Sequence, residues 1–284
     1  MSSDLERYIE KAAGDLPALP GIAAAVMKAV DDPNSSSDDI RKLIEEDPAL
    51  AARILRVSNS ALYGFRGKIQ SLSHAISLIG LRATRNLVLG ISMKSTFQHF
   101  GLMEKLLWLH STAAGPVTAA LAKHLKLGID ADEAFTAGLL HDVGKTALAN
   151  SHRDEYERVV ARVYNEQIGF VAAERDLFGF DHAELGARVA ARWGFPIRLI
   201  AVIGKHHDAD ALHELPEDIA RLTALVGVAT RCLTRLGVGR RAAVEAIDPT
   251  ACFAWEYLDL DKDAAESCLA LCQEKVDAAS TLTE

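Results

Sequence analysis

Four short segments of this 284-residue chain place histidines where they could do metal chemistry. The sharpest is Leu139-Leu140-His141-Asp142-Val143-Gly144-Lys145. Read as part of a helix, its His-Asp pair offers a neutral imidazole and a carboxylate whose different lengths let both reach one cation. Lys145, one turn beyond His141, is a candidate phosphate contact; a solvated charge at a helix end explains it equally well. His110 lies in Trp108-Leu109-His110-Ser111. His182 opens Asp181-His182-Ala183-Glu184, the start of a helix that ends near Arg192-Trp193-Gly194-Phe195-Pro196. His206 and His207 follow in Gly204-Lys205-His206-His207-Asp208. Several imidazoles with one carboxylate suit a divalent transition ion such as Zn, Fe or Ni. The candidate ligands are His110, His141, Asp142, His182, His206 and His207. Taken singly, each histidine fits better as a buried core imidazole with one donor and one acceptor satisfied. His74, His99, His124, His152 and His213 have no motif partners and are assigned to packing or surface.

The elements that must carry these residues read as helices. No long stretch alternates with period 2. Asp47-Pro48 is a cap followed by proline at the first helical position. Leu50, Ile54 and Val57 then share a face, and Gly64 can end the unit. Ser36 to Asp39 and Ser151 to Asp154 fit the capping-box pattern. Ala75, Leu78 and Ile79 form a short helix that stops at Gly80, and a second runs from Leu81 to Lys94. A long helix starts near Glu104, and Gly115-Pro116 predicts a kink in it. Later stripes are Ile219, Leu222, Leu225 and Val226, then Ala265, Leu269 and Cys272. The expectation is an all-α protein. His99-Phe100-Gly101 interrupts the periodicity, which divides the chain into a small helical bundle over 1–100 and a helical lobe over 101–284.

Composition excludes several classes. Hydrophobic residues at 49% and charged residues at 25% exclude disorder and collagen-like folds. Acids in the first residues speak against a signal peptide, and the apolar run between Lys105 and Lys123 is a poor membrane span. Cys232, Cys252, Cys268 and Cys272 are too few for a disulfide scaffold in a chain this long. Cys268 and Cys272 stand one turn apart; a two-cysteine metal clip is one reading, two small buried residues the stronger one. A cytoplasmic protein without membrane association is expected.

The net charge of −8 conceals an asymmetry. From Pro48 to Met103 there are seven basic residues and no acidic ones: Arg53, Arg56, Arg66, Lys68, Arg82, Arg85 and Lys94. Arg82-Ala-Thr-Arg85-Asn86 opens a helix after a tight turn, the outline of a DNA-reading motif. Ordinary bundle packing is the better reading, given the acidic remainder and the lack of interleaved aromatics. Arg53, Arg56, Arg82 and Arg85 are candidates for docking an acidic partner or the chain's own acidic part. Asn59 and Tyr63 are further candidate partner contacts.

The order His110, His141-Asp142, His182, His206-His207 resembles the HD superfamily of helical metal-dependent phosphohydrolases. Leu16-Pro17-Ala18-Leu19-Pro20, Asp47-Pro48-Ala49-Leu50, Ile54 to Ser60 and Ala75 to Gly80 resemble the HDOD (HD-related output domain) family, over roughly residues 10–210. The resemblance implies a small helical bundle followed by an HD-like lobe, and a bacterial signal-transduction module with no general catalytic activity. An HD hydrolase site also has a distant Asp on a later helix; the matching position looks like Thr230, a neutral hydroxyl, and Asp208 replaces it only if the backbone brings it in. A Gly-Tyr-Pro motif seen after the paired histidines in HD enzymes that cleave cyclic-di-GMP is absent. His182, His206 and His207 match second-metal histidines of those enzymes, with Asp142 as the bridge.

The function expected is a non-catalytic regulatory protein that binds signalling proteins or a small-molecule or nucleotide ligand. It requires no cofactor but has a candidate site for Fe, Mn, Zn or Ni. A divergent phosphohydrolase, with Asp142 and Lys145 in the catalytic set, is the alternative. A nucleic-acid-binding regulator is the third reading.

Overall fold

Helix starts follow the capping chemistry written in the chain. The computed structural model describes Glu6, Ile9 and residues 19–60, 63, 69–166, 168–240, 243–244 and 246–283. Among the described residues every regular element is helical, in accord with the all-α expectation. The first five are α1 (Gly21–Asp31), α2 (Ser37–Glu45), α3 (Pro48–Ser58), α4 (Leu72–Ile79) and α5 (Leu81–Met93). Ser36 caps α2 reciprocally: its Oγ accepts from the Asp39 amide while Asp39 Oδ2 accepts from the Ser36 amide at 2.9 Å. Two amides without helical partners are satisfied at once. Asp47 accepts from Ala49 and Leu50, and Pro48 sits at the first position of α3. Gly80 takes φ +84° between α4 and α5, a conformation that a Cβ would oppose. Gly64, Leu16 to Ala18, Arg66 and Lys68 lie outside the described residues.

Leu50, Ile54 and Val57 of α3 all point inward, against Val26, Ile40, Ile44, Leu72, Ile76, Leu87, Val88 and Ile91. Each such side chain contributes roughly 1.5–3 kcal/mol of burial. Leu78, in contrast, faces solvent. α5 offers its other side, Leu89 and Met93, to a second core. The link over 97–101 is non-helical, and α6 (Leu102–His124) follows, its start stabilised by the Gly101 amide donating to Glu104 Oε2 at 2.8 Å. α6 stays helical through Gly115-Pro116.

The rest of the chain adds α7 (Ala131–Leu140), α8 (Val143–Ser151), α9 (Arg153–Asn165), α10 (Phe170–Phe178), α11 (His182–Arg192), α12 (Ile197–Lys205), α13 (Ala211–Glu214), α14 (Glu217–Leu236), α15 (Phe253–Tyr257) and α16 (Ala264–Thr283). The capping box expected at Ser151 does not form. Ser151 remains in α8 and its hydroxyl donates to the Ala147 carbonyl one turn back, so His152 occupies the cap position of α9. Cys232, Cys268 and Cys272 are fully buried with Trp255 and Leu225 in a third core, which makes them packing residues. No cysteine belongs to a metal-capable group among the described residues. α6 packs on α7, α14 and α16, and α11 packs on α8 and α12. The predicted ligands therefore converge from five elements.

Candidate metal centre

His141 and Asp142 do not sit inside a helix, contrary to the sequence reading. His141 ends α7 and Asp142 precedes α8, so the pair turns a corner between two helices. That corner aims the Asp142 carboxylate into the space between α6, α11 and α12. Gly144 lets α8 approach so closely that a Cβ there would collide with the His182 carbonyl oxygen.

The two carboxylate oxygens of Asp142 face different groups. Oδ2 lies 2.7 Å from Lys145 Nζ, 3.3 Å from His141 Nε2 and 3.7 Å from His110 Nε2. Oδ1 lies 3.2 Å from His182 Nε2 and 3.7 Å from His206 Nε2. His207 Nε2 is 3.1 Å from His182 Nε2. All six predicted ligands are thus brought together, as two groups that share Asp142.

Each of four rings is oriented from behind. His110 Nδ1 faces the Val238 carbonyl, His141 Nδ1 the Gly138 carbonyl and His206 Nδ1 the Ile203 carbonyl. His182 Nδ1 lies 2.6 Å from Glu174 Oε2. A carbonyl can only accept, so Nδ1 of those three rings carries a proton, and in the neutral ring Nε2 presents a lone pair toward Asp142. Lone pairs aimed at a carboxylate repel unless a cation lies between them. Asp142 Oδ1 and His206 Nε2 are accordingly buried without a hydrogen-bond partner. Such orphaned buried acceptors fit a divalent ion, as does the set of imidazoles and one carboxylate.

The electrostatics follow from burial. Burial pushes His110 down to about 3 and His206 down to about 4. Burial would also lower His182, but the Glu174 carboxylate outweighs it and the ring rises to about 9. Burial would raise Asp142, yet the His141 ring and Lys145 ammonium hold it well below the usual carboxylate range. Lys145 is not a solvated helix-end charge. It is 8% exposed, with its ammonium on Asp142 and 4.3 Å above the Phe170 ring.

The family model of the HDOD domain matches residues 16–209. The chain belongs to the HDOD family. It is 27% identical over 215 residues to an uncharacterized protein of Treponema pallidum (strain Nichols), covering 76% of this chain and 41% of that one. The chain thus spans about two fifths of that curated relative's length. An HDOD domain protein of unknown function from Geobacter sulfurreducens shares the fold with TM-score 0.79 at 24% identity, over 98% of both chains. A Shewanella amazonensis SB2B protein, named a candidate phosphohydrolase, does so with TM-score 0.74 at 22% identity, over 99% and 98%.

In this HDOD protein the fourth-ligand question has a local answer. Thr230 donates its hydroxyl to the Gly227 carbonyl of its own helix. Asp208 caps the following turn through the Ala211 amide and pairs with Lys205, so it does not join the cluster. His124 bonds Ser267 and His152 bonds Ser151, away from the centre. Of the basic candidates, Arg82 pairs with Asp130 at 3.1 Å and Arg85 with Asp31 at 3.2 Å, the chain's own acids. Arg53 is half-buried and Arg56 exposed. Asn59 ties its amide to the Leu55 and Ile69 carbonyls and accepts from the Ile69 amide, which joins the end of α3 to the residues just before α4.

Sequence reasoning missed Glu174 and Tyr156. Glu174 is fully buried, accepts from the His182 amide and from Tyr156 Oη at 2.9 Å, and holds the His182 ring. In Phe170-Val-Ala-Ala-Glu174-Arg175-Asp176 it reads like any acid of an amphipathic helix. The orienting carbonyls of Val238, Gly138 and Ile203 leave no trace in sequence, since every residue has one.

Proposed function

We propose that this HDOD protein is a non-catalytic signalling module whose His-Asp centre holds a divalent transition metal ion. It acts by binding a protein partner or small ligand. The observation that carries this reading is the burial of the centre's inner donors. His141, Asp142, His182 and His206 are buried, and Lys145 neutralises Asp142 from inside. The residues that could hold an ion form two groups that share Asp142, one with His182, His206 and His207 and one with His110 and His141; an ion bound in either would supply Lewis acidity and a rigid cross-link between helices. Hydrolysis requires more, namely an open position with a bound water of lowered pKa in reach of a phosphodiester. A cleft of about 480 Å³ does open at Asp130, Glu133, Arg198 and Glu217, but none of the clustered histidines lines it. The partner face narrows to Arg53 and Arg56, because Arg82 and Arg85 are engaged within the chain. The burial of Thr84 and Asn86 in α5 weighs against that helix as a groove reader.

Elemental analysis of the purified full chain, followed by phosphodiester hydrolysis with Mn²⁺ or Fe²⁺, tests the reading. Bound metal without turnover is the expected result. Turnover that disappears in His141→Ala would establish the competing phosphohydrolase, which draws on Asp142 facing both histidine groups.

A further inference from the structure

We infer that Asp142 divides the centre unequally: one metal ion binds on its Oδ1 side, through His182, His206 and His207, while the Lys145 ammonium is the resident cation on its Oδ2 side. This rests on the metal-binding reading above and specifies how many ions bind and where.

The Oδ2 side already holds a positive charge. Lys145 Nζ touches Oδ2 at 2.7 Å, and the buried side chain is packed over Phe170. A divalent ion drawn to the same oxygen by His110 and His141 would face that ammonium across one carboxylate. Among the described residues no second carboxylate joins that group to offset the repulsion, and Thr230 directs its hydroxyl to Gly227 within its own helix. The two like charges would compete for the same lone pairs in a buried site where water screens them poorly.

The Oδ1 side differs in each respect. Oδ1 and His206 Nε2 are both buried acceptors with no hydrogen-bond partner. The neighbouring donor atoms stand 3.1, 3.2 and 3.7 Å apart. A tetrahedral ion with bonds of 2.0–2.1 Å has edges of about 3.3–3.4 Å, so these separations bracket what such an ion needs. Three imidazoles and one carboxylate complete a four-donor set. Glu174 fixes His182 from behind at 2.6 Å, and the exposed His207 gives ions a way in from solvent.

The test is stoichiometry. The full chain is stripped with chelator and titrated with Zn²⁺ by calorimetry, and bound zinc is then counted by elemental analysis after gel filtration. Wild type should bind one ion per chain. His206→Ala and the surface-facing His207→Ala should each weaken it by tenfold or more, whereas His110→Ala should keep one ion. Lys145→Met, which removes the resident cation, should raise the count toward two. Two ions in wild type, loss of the ion in His110→Ala, or a count that stays at one in Lys145→Met would each overturn the assignment while leaving metal binding intact. No zinc on any variant would overturn the metal-binding reading itself, and this inference with it.

Discussion

Replacing Gly144 by alanine should disable the centre without touching a single ligand. A Cβ at residue 144 would collide with the His182 carbonyl oxygen and stand 2.8 Å from both the Gly186 nitrogen and the His182 carbonyl carbon. Ordinary contact begins at 3.4 Å and the carbonyl oxygen is the nearest atom struck, so the start of α11 must retreat by well over an ångström. The opposing effect is helix propensity, where Gly to Ala gains roughly 0.5–1 kcal/mol. Overpacking costs about 1–3 kcal/mol, and the upper end applies because the atoms struck are backbone and cannot rotate away. The clash wins, and a net loss of about 2 kcal/mol corresponds to roughly 4–8 °C in Tm. His182 moves with its backbone, so zinc affinity should fall as well. Gly90→Ala is the matched control, since its Cβ would meet Leu139 Cδ2 at an ordinary 3.8 Å. There propensity decides, and Tm should rise by roughly 1–4 °C. Thermal unfolding and zinc titration of both variants provide the assay. If Gly144→Ala melts like wild type and binds zinc equally well, the close approach of α8 and α11 does not position the centre.

Glu174→Gln keeps the shape behind His182 but removes the anionic acceptor, and zinc affinity measured by calorimetry should drop about 10–100-fold. Asp142→Ala leaves Lys145 buried without its counter-ion, so denaturant unfolding should show a loss of roughly 3–5 kcal/mol. The metal-free protein should lose stability as pH falls from about 6.5 to about 4, because His206 and His110 stay neutral when folded while the unfolded chain takes up protons. His182 has the opposite sign, being raised to about 9, so its contribution is complete below about 6.5 and is lost as pH rises through 9. Chemical denaturation across this range should therefore show a maximum near pH 6.5, and stability that climbs steadily toward pH 4 would contradict the buried neutral rings.

Much of the fold is legible in local patterns. Ser36 with Asp39, and Asp47 with Pro48, set helix starts through contacts within four residues, which sequence displays directly. The stripe Leu50, Ile54, Val57 recurs with helical spacing and is buried as that spacing requires. Ser151 shows where the local rule fails. Its hydroxyl has two satisfying partners, an amide ahead or a carbonyl one turn behind, and the continuation of α8 decides for the carbonyl.

The residue types by themselves determine that this chain is helical and that its six candidate ligands are imidazoles plus one carboxylate, because periodicity and side-chain chemistry are properties of each short segment. Only the tertiary structure decides what those ligands do. The turn at His141-Asp142 gives one carboxylate two faces, and the glycine at 144 brings α11 against it. Lys145, equally a surface charge or a phosphate contact in sequence, becomes an internal cation because Phe170 and Asp142 enclose it. Glu174 becomes the support of His182 only because the short turn between α10 and α11 brings its carboxylate to the His182 amide and ring. Charge on charge in a poorly screened interior depends on distance, and no segment of the chain contains those distances.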